Sequence, residues 1–378
     1  MKTSFFRKRS LRLAILLAAS TLVFAGCGGS GSATSGKQMG GAIQGNSLTL
    51  TNKVTTITGQ AGVQGATDGT GTQATFYWPK GITTDGTNLY IADYNNNIIR
   101  KMVFPTGAVT TIAGQAGVWG SADGTGTQAT FDTPSGITTD GANLYITDTN
   151  SNTIRKMVIA TGVVTTIAGE AGVLGSADGT GTQATFRRPI DITTDGTNLY
   201  ITDSANDTIR KMVISTGEVT TIAGQALTQG SADGTGTQAT FNWPSGITTD
   251  GTNLYITDTD NFTIRKMVIS TSAVTTIAGQ AGVAGSADGT GSAARFNLPN
   301  GITTDGNNLY IADTWNDTIR RMVVSTGVVN TIAGRTSVAG FADGTGSAAM
   351  FNLSDGITTD GTNLYITDTN NCTIRQIK

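Results

Sequence analysis

The sequence predicts an all-β protein, a six-bladed β-propeller, on three observations. A 55-residue unit recurs six times without insertion or deletion. Each unit contains four short runs typical of β-strands, separated by turn residues. The first and last units are incomplete in complementary ways, which favours a closed ring over an open array with exposed edge strands.

The four runs follow in the same order in every unit, and we name them strands A to D. Strand A reads Gly-Ile-Thr-Thr (from Gly81) and strand B reads Asn-Leu-Tyr-Ile (from Asn88). Strand C reads Thr-Ile-Arg-Lys-Met (from Thr153) and strand D reads Val-Thr-Thr-Ile (from Val54). Asp-Gly-Thr-Asn, as at Asp85, joins A to B and is a strong hairpin-turn signal. Beyond these strands we expect one helical turn at most, over residues 73–76.

The two ends of the chain predict how the ring closes. The strand D run Val54–Ile57 has no A, B or C before it, and the last unit, Gly356–Lys378, lacks a strand D. Six periods need 330 residues, Val54–Lys378 supplies 325, and the missing five match the C–D turn Ile159–Val163. The N-terminal strand is therefore expected to complete the last blade.

The N-terminal sequence predicts a targeting signal rather than a folded segment. Residues 1–12 hold five cations and no acid, and an apolar run, Leu13 to Ala25, follows. Ala25-Gly26-Cys27 resembles the lipobox of bacterial lipoproteins, which implies lipid attachment at Cys27 and a place in the cell envelope or on the cell surface. Gly28 after the cysteine resembles outer-membrane sorting in didermic bacteria. We predict a signal peptide over 1–26, a Gly/Ser-rich tether over 27–47 and the propeller over 48–378; an ordinary cleaved signal or a short anchor helix is the alternative.

The composition excludes several kinds of chemistry. The chain has no histidine, two cysteines, and two glutamates among 26 acidic residues, which rules out Ser/His/Asp and Cys/His sites and a Cys₄ zinc site. Removal of residues 1–26 leaves 19 of the 24 cations against 26 acids, a net charge of −7. A negative body argues against nucleic acid as the partner and against docking on anionic lipid, so membrane contact is expected only through the lipid anchor.

Gly-Ile-Thr-Thr-Asp-Gly-x-Asn-Leu-Tyr-Ile-x-Asp-x-x-Asn-x-x-Ile-Arg resembles the NHL repeat over nearly all of residues 54–378. The strand-end aspartate of that repeat matches Asp93, Asp148, Asp203, Asp258, Asp313 and Asp368. The turn asparagine matches Asn96, Asn206, Asn261, Asn316 and Asn371. Ser151 and Ser354 depart from the pattern. The resemblance implies a propeller that serves as a binding platform. Six-bladed relatives include lactonases and lyases that hold metal with histidine or glutamate, which this chain lacks or nearly lacks.

Two repeated charged features suit a structural role. Asp-Gly-Thr-Gly recurs at Asp68, Asp123, Asp178, Asp233, Asp288 and Asp343, and we interpret it as a turn capped by its aspartate. Calcium binding by these loops is the alternative; no cofactor is predicted. An arginine follows each strand-end aspartate by seven residues and predicts a contact with it inside the blade; a ring of arginines that binds an anion is the alternative. The thiol of Cys372 has no histidine to activate it and is interpreted as incidental.

The differences between the six units locate the candidate binding residues. They fall around the proline before strand A and in the B–C turns, two connections expected on the same face of the disc. The long loops from strand D to strand A, of which residues 60–80 are the first, are expected to form this face together with the B–C turns. The candidates are Tyr77, Trp78, Lys80, Tyr94, Arg187, Arg188, Asp191, Trp243, Phe262, Trp315 and Asp317. Exposed aromatic and charged side chains are typical of binding surfaces, although neutral variation of loops and packing of tryptophan between blades are alternatives.

The sequence thus predicts a lipid-anchored, extracytoplasmic, monomeric propeller that binds a protein or a glycan or acts as a scaffold for it. No catalytic residue is predicted. A six-bladed hydrolase or lyase with a metal held by Asp and Asn oxygens, and a purely structural envelope component, are the alternatives.

Overall fold

The computed structural model describes residues 47–378. The predicted signal peptide, most of the predicted tether and Cys27 lie outside this range. The described chain forms six antiparallel sheets and no α-helix, and it contains no helix long and apolar enough to cross a membrane. The six-bladed β-propeller predicted from the sequence is confirmed.

Strands A to D have nearly the same length in every blade. Strand A spans Pro79–Thr84, Pro134–Thr139, Pro189–Thr194, Pro244–Thr249, Pro299–Thr304 and Ser354–Thr359 in blades 1 to 6. Strand B spans Asn88–Asp93, Asn143–Asp148, Asn198–Asp203, Asn253–Asp258, Asn308–Asp313 and Leu364–Asp368. Strand C spans Ile98–Val103, Thr153–Val158, Thr208–Val213, Thr263–Val268, Thr318–Val323 and Thr373–Ile377. Strand D spans Ala108–Gly114, Val163–Ala168, Glu218–Ala223, Ala273–Gly279, Val328–Gly334 and Lys53–Thr58.

Each blade has a fifth strand that the sequence did not predict. It is two residues long, lies outside strand D at the rim, and spans Gly69–Thr70, Gly124–Thr125, Gly179–Thr180, Gly234–Thr235, Gly289–Thr290 and Gly344–Thr345. From rim to axis, the order in every sheet is therefore the short strand, D, C, B and A. A run of two residues shows no alternation of apolar and polar side chains, so the pattern that reveals the other strands is absent.

Short 3₁₀ turns occur at two places in the repeat. One follows the rim strand and spans Gly71–Gln73, Gly126–Gln128, Gly181–Gln183, Gly236–Gln238, Gly291–Ala293 and Gly346–Ala348. The expected helical turn over residues 73–76 thus lies two residues earlier. The other links B to C and spans Tyr94–Asn96, Ser204–Asn206, Thr259–Asn261, Thr314–Asn316 and Thr369–Asn371. Blade 2 has no 3₁₀ turn there, and it is the blade in which Ser151 replaces the turn asparagine.

The ring closes as the sequence predicts. The N-terminal strand Lys53–Thr58 pairs with the last strand of the chain, with Val54 opposite Ile377. The N–H of Lys378 donates to the Lys53 carbonyl at 3.0 Å, so the two ends meet where a C–D turn stands in the other blades. Every blade thereby obtains all of its strands, and no strand B, C or D is left as an open edge.

The hydrophobic core lies between neighbouring blades rather than within one sheet. Between blades 3 and 4, for example, Tyr200 and Ile209 of blade 3 pack with Phe241, Ile247 and Met267 of blade 4. Equivalent clusters recur around the ring. The contacts between blades, which we call seams, therefore carry most of the apolar burial that stabilises the fold.

Candidate functional site

One side of the disc, the loop face, carries the first residues of strand A and the B–C turns. In blade 1, Pro79 at the start of strand A pairs with Asp93 at the end of strand B. The N–H of Asn95 in the B–C turn donates to the Tyr77 carbonyl at 3.1 Å, so the turn lies beside the loop that enters strand A. The predicted sharing of one face by these two connections is confirmed. The A–B and C–D turns form the opposite side, the turn face.

The long loop from strand D to the next strand A leaves the loop face in its middle. Its beginning stays there, since the N–H of Gly62 donates to the Asn371 carbonyl in a B–C turn. Farther along, the N–H of Gly71 donates to the Gly107 carbonyl in a C–D turn, on the turn face. Only the two ends of each loop therefore belong to the loop face, which corrects the expectation that all of residues 60–80 would.

A buried arginine clamp organises each blade. In blade 1 the Arg100 guanidinium donates to the Asp93 carboxylate at 2.9 Å, and both side chains are fully buried. It also donates to the Thr75 and Thr67 carbonyls at 2.9 Å and stands 5.0 Å from the centre of the Phe76 ring. Burial raises the pKa of Asp93 to about 6, while the charge of Arg100 opposes the rise. The same contact recurs in the other five blades, so the predicted Asp–Arg contact is confirmed.

The aspartate of Asp-Gly-Thr-Gly was interpreted as the cap of its own turn, but it is instead part of this clamp. The Asp68 carboxylate accepts a hydrogen bond from the second terminal nitrogen of Arg100 at 3.0 Å and another from the hydroxyl of Thr111 in strand D at 3.0 Å. The last glycine of the motif, Gly71, has a left-handed backbone conformation with φ +57°. Each arginine thus joins two carboxylates, one buried and one about half exposed.

Four candidates of blade 1 gather at the loop face near the axis. Trp78 is 40% exposed, and its ring meets the Tyr77 ring edge-on with centres 6.1 Å apart. The Lys80 ammonium lies 3.7 Å from the Asp355 carboxylate and 4.3 Å from the centre of the Tyr94 ring. The structure therefore links Lys80 and Tyr94 directly and adds Asp355, an acid that was not among the predicted site residues.

A second group lies where blade 3 meets blade 4. Arg188 is exposed, and its guanidinium lies 6.0 Å from the half-buried Trp243 ring. Arg187 and Phe262 are half-buried on the same face. The contact across this seam thus joins one cation, Arg188, to one aromatic ring, Trp243.

Blade 5 contributes two candidates with different surroundings. Trp315 is 58% exposed at the tip of the B–C turn. Asp317 is buried, and its carboxylate accepts the N–H of Leu353 in blade 6 at 2.9 Å. Its carboxylate therefore joins two blades, whereas the Trp315 ring faces solvent.

The candidates that precede the strand A proline share an unusual backbone conformation. The six residues at this position have φ between +46° and +55°, and they are Trp78, Thr133, Arg188, Trp243, Leu298 and Leu353. In four of these places the side chain that follows the B–C turn of the preceding blade accepts the N–H: Asn97 for Thr133, Asn152 for Arg188, Asp207 for Trp243 and Asp317 for Leu353, at 2.8–2.9 Å. Since all six blades share the left-handed conformation, it is a property of the seam that also projects three candidate side chains onto the loop face.

The six A strands line a channel along the propeller axis. It encloses a cavity of about 90 Å³ whose wall is mainly Gly, Ile, Ser and Thr. In five blades the third residue of strand A is glycine, because the neighbouring strand A passes very close: a Cβ on Gly81 would lie 2.2 Å from the Ser135 carbonyl oxygen. Blade 3 has Asp191 at this position and thus places a carboxylate in the channel wall.

Asp191 is held by main-chain donors and, among residues 47–378, forms no ion pair with a cation. Its carboxylate accepts the N–H of Ile192 at 2.9 Å and that of Ile247 in blade 4 at 3.0 Å. Burial raises the pKa of Asp191 to about 7, the negative charge of Asp355 adds to the rise, and the two N–H donors oppose it. Protein surrounds the carboxylate, and the surface it retains faces the channel.

The structure also reveals an exposed apolar arc that sequence reasoning missed. Trp119, Leu174 and Leu227 are 74%, 59% and 62% exposed at the beginnings of three successive D–A loops. The units do differ at the Trp119 position, which reads Gln64, Trp119, Leu174, Gln229, Ala284 and Ala339. Variation between copies would have found this site had the whole loop been compared, not only its end near the proline.

Two expectations about reactive groups concern cysteine and metal. Cys372 is buried, and burial raises its pKa, which disfavours the thiolate. Among residues 47–378, no three His, Cys, Asp or Glu side chains lie close enough together to hold one metal ion.

Comparison with known proteins supports the repeat and the fold. No family model matches the chain. Over 288 residues it is 29% identical to Protein SUPPRESSOR OF QUENCHING 1, chloroplastic, of Arabidopsis thaliana, which covers 71% of this chain and 27% of that protein. It is 30% identical over 164 residues to human NHL repeat-containing protein 2, covering 40% of this chain and 23% of the relative. The chain is a six-bladed propeller with NHL-repeat relatives. It spans about a quarter of the length of these two relatives.

Solved structures of similar fold come from Bacteroides. A structural genomics protein of unknown function from Bacteroides thetaiotaomicron superposes with a TM-score of 0.65 at 24% identity, over 86% of this chain and 75% of that one. An auxiliary nutrient binding protein from Bacteroides ovatus superposes with a TM-score of 0.65 at 19% identity, over 86% and 76%. At these identities the similarity establishes the shared fold.

Proposed function

We propose that this chain is a lipid-anchored, extracytoplasmic propeller that binds a protein or a glycan on its loop face. The observation that carries the proposal is the exposure of large aromatic side chains on that face, with Trp78 at 40% and Trp315 at 58%. Exposed tryptophan offers a large contact area at little cost in side-chain entropy, which is why it is enriched in binding hot spots. The fold similarity to an auxiliary nutrient binding protein agrees with a binding role.

The chemistry of the loop face favours binding of a polar partner. Arg188 lies near Trp243, and Lys80 lies near both Tyr94 and Asp355, so charges of both signs border the aromatic rings. The carboxylates and guanidinium groups of the clamps are already paired within each blade. The residues left for a partner are therefore aromatic side chains and scattered charges, a combination suited to a protein loop or a sugar.

The test compares wild type with the double variant Trp78→Ala/Trp315→Ala on a glycan array and on an array of blocked peptides. We expect wild type to retain one class of ligand and the double variant to bind it about tenfold or more weakly. Val163→Ala on the turn face, where Val163 is also 38% exposed, serves as the control and should bind like wild type. Circular dichroism verifies that all three proteins are folded. Failure of wild type to retain any ligand, or equal binding by the folded double variant, contradicts the proposal.

The proposed anchor has its own test. Because acyl chains supply nearly all the membrane affinity of a lipoprotein, Cys27→Ser should move the protein from the detergent phase to the aqueous phase, or leave its signal uncleaved. A wild-type protein that partitions into water contradicts the anchor and leaves the binding proposal intact.

A further inference from the structure

The loop-face mouth of the channel carries an excess of one negative charge. Asp191 belongs to blade 3 and Asp355 to blade 6, so the two carboxylates stand on opposite walls of a six-bladed ring. Lys80 pairs with Asp355 at 3.7 Å, and the remaining channel wall is uncharged. Among residues 47–378, Asp191 thus has main-chain donors but no counter-charge, an arrangement that is costly for the ionised carboxylate unless a cation completes it.

Lys80 shows how this mouth accommodates an ammonium group. Its nitrogen lies between the Asp355 carboxylate, at 3.7 Å, and the face of the Tyr94 ring, at 4.3 Å. A carboxylate on one side and an aromatic face on the other is a favourable environment for a primary ammonium. Asp191 offers the carboxylate half of the same environment on the opposite wall, where no lysine among residues 47–378 pairs with it.

The size and charge of the mouth limit what can bind there. A cavity of about 90 Å³ is small compared with the pockets that hold whole ligands and suits the end of a slender chain. An excess charge of one is balanced by a singly charged group. A divalent ion would favour several carboxylate oxygens, and no three acidic groups converge among the described residues. The four-carbon stem and ammonium of a lysine side chain meet both limits.

We propose that the channel mouth binds the ammonium of a lysine side chain from a peptide segment lying across the loop face. This inference rests on the proposed binding function and narrows its partner to a peptide or protein. The lysine stem passes into the channel, its ammonium pairs with the Asp191 carboxylate, and the peptide backbone contacts the aromatic residues outside.

The test uses an array of blocked peptides printed in pairs, with lysine or Nε-acetyl-lysine at the central position. Acetylation removes the charge and leaves the stem in place. The measurement is made at pH 8, where Asp191 is ionised and lysine is still protonated. We expect wild type to bind the best lysine peptide about tenfold or more tightly than its acetylated counterpart, the effect of one hydrogen bond between charged groups.

The variant Asp191→Gly carries the residue that the other five blades have at this position, so the fold accommodates it. It should reduce the discrimination to less than about twofold. Asp260→Asn removes an exposed acid from the same face and should leave the discrimination unchanged. Thermal unfolding verifies that both variants are folded.

The outcomes separate this inference from the proposed function. Equal binding of both members of each peptide pair, lost in Trp78→Ala/Trp315→Ala, overturns the lysine site and leaves the binding face intact. Retention of glycans and no peptides also overturns it. A titration with CaCl₂ forms the last arm: calcium binding that depends on Asp191, without lysine discrimination, overturns the ammonium assignment in favour of a metal.

Discussion

The seam between blades 3 and 4 and the seam between blades 1 and 2 are built from the same repeat but joined differently. Between blades 3 and 4, the side chains of Thr202, Ser204, Asp207 and Asp191 each make a hydrogen bond to the main chain of blade 4. Between blades 1 and 2, the described residues provide one such bond, from the N–H of Thr133 to Asn97 at 2.8 Å. The positions of Thr202 and Ser204 are Ala92 and Tyr94 in blade 1.

The difference shows what a closed ring allows. Each blade is held on both sides, so one seam with few polar contacts is tolerated when its apolar core remains intact. At the weak seam, Tyr94 makes no bond to blade 2, and its ring instead faces the Lys80 ammonium at the channel mouth. The seam poorest in these hydrogen bonds thus adjoins an aromatic group of the candidate site.

The largest effect is expected from a contact that does not vary between blades. Arg210→Ala leaves the Asp203 carboxylate buried without its partner at 2.8 Å, and we expect a loss of about 3–5 kcal/mol in the free energy of unfolding. The control is Asp178→Asn on the half-exposed side of the same arginine, which should cost less than about 1 kcal/mol. Urea unfolding measures both. Equal losses in the two variants would contradict the larger contribution assigned to the buried contact between Arg210 and Asp203.

The features of the fold that could be predicted from the sequence are those whose interactions are local and repeat with the 55-residue period. Strands A to D, the closing N-terminal strand and the contact of Arg100 with Asp93 were all predictable, because the 55-residue period repeats their signals six times. Seam contacts were not predictable, since a residue such as Asp207 and its partner Trp243 belong to different units. Only the folded ring brings them together.

The channel was missed for a related reason. Strand A was predicted to begin at Gly81, but it begins at Pro79, so Lys80 belongs to strand A and not to the loop before it. Asp191 stands at the Gly81 position of blade 3, and the sequence did not show that this position lines a channel. Comparison of the units did single out Asp191 as a departure. What the sequence could not show is that the carbonyl of the neighbouring strand A leaves little room for a side chain at this position. An aspartate there therefore changes the channel wall.

A smaller effect, and one that depends on pH, is expected at the seam between blades 3 and 4. The pKa of Asp191 is raised to about 7 from 3.8 in the unfolded chain, so the folded state holds its proton more tightly. The free energy of unfolding should therefore fall as pH rises from about 4 to about 7. Asp191→Asn removes this contribution, so between pH 5 and pH 8 the variant should gain about 2–3 kcal/mol relative to wild type. Other buried carboxyl groups cancel in the comparison, and a difference that does not change with pH contradicts the raised pKa.

The smallest effects should come from exchanging one residue between the two seams. Thr202→Ala removes a buried hydroxyl that donates to the Ser245 carbonyl at 2.6 Å and accepts the Asp191 N–H at 2.9 Å, and we expect a loss of about 1–3 kcal/mol. Ala92→Thr places the same hydroxyl at the seam between blades 1 and 2, where the equivalent carbonyl belongs to Ser135. Four other blades already have threonine there, so the backbone geometry suits it, and the gain should be about 0.5–1 kcal/mol. Urea unfolding measures both variants.

If Ala92→Thr is instead destabilising, the two seams differ in packing as well as in hydrogen bonding. If it is stabilising and also weakens ligand capture on the loop face, the weak seam is part of the binding site, because tightening it restrains the neighbouring Tyr94 and Lys80.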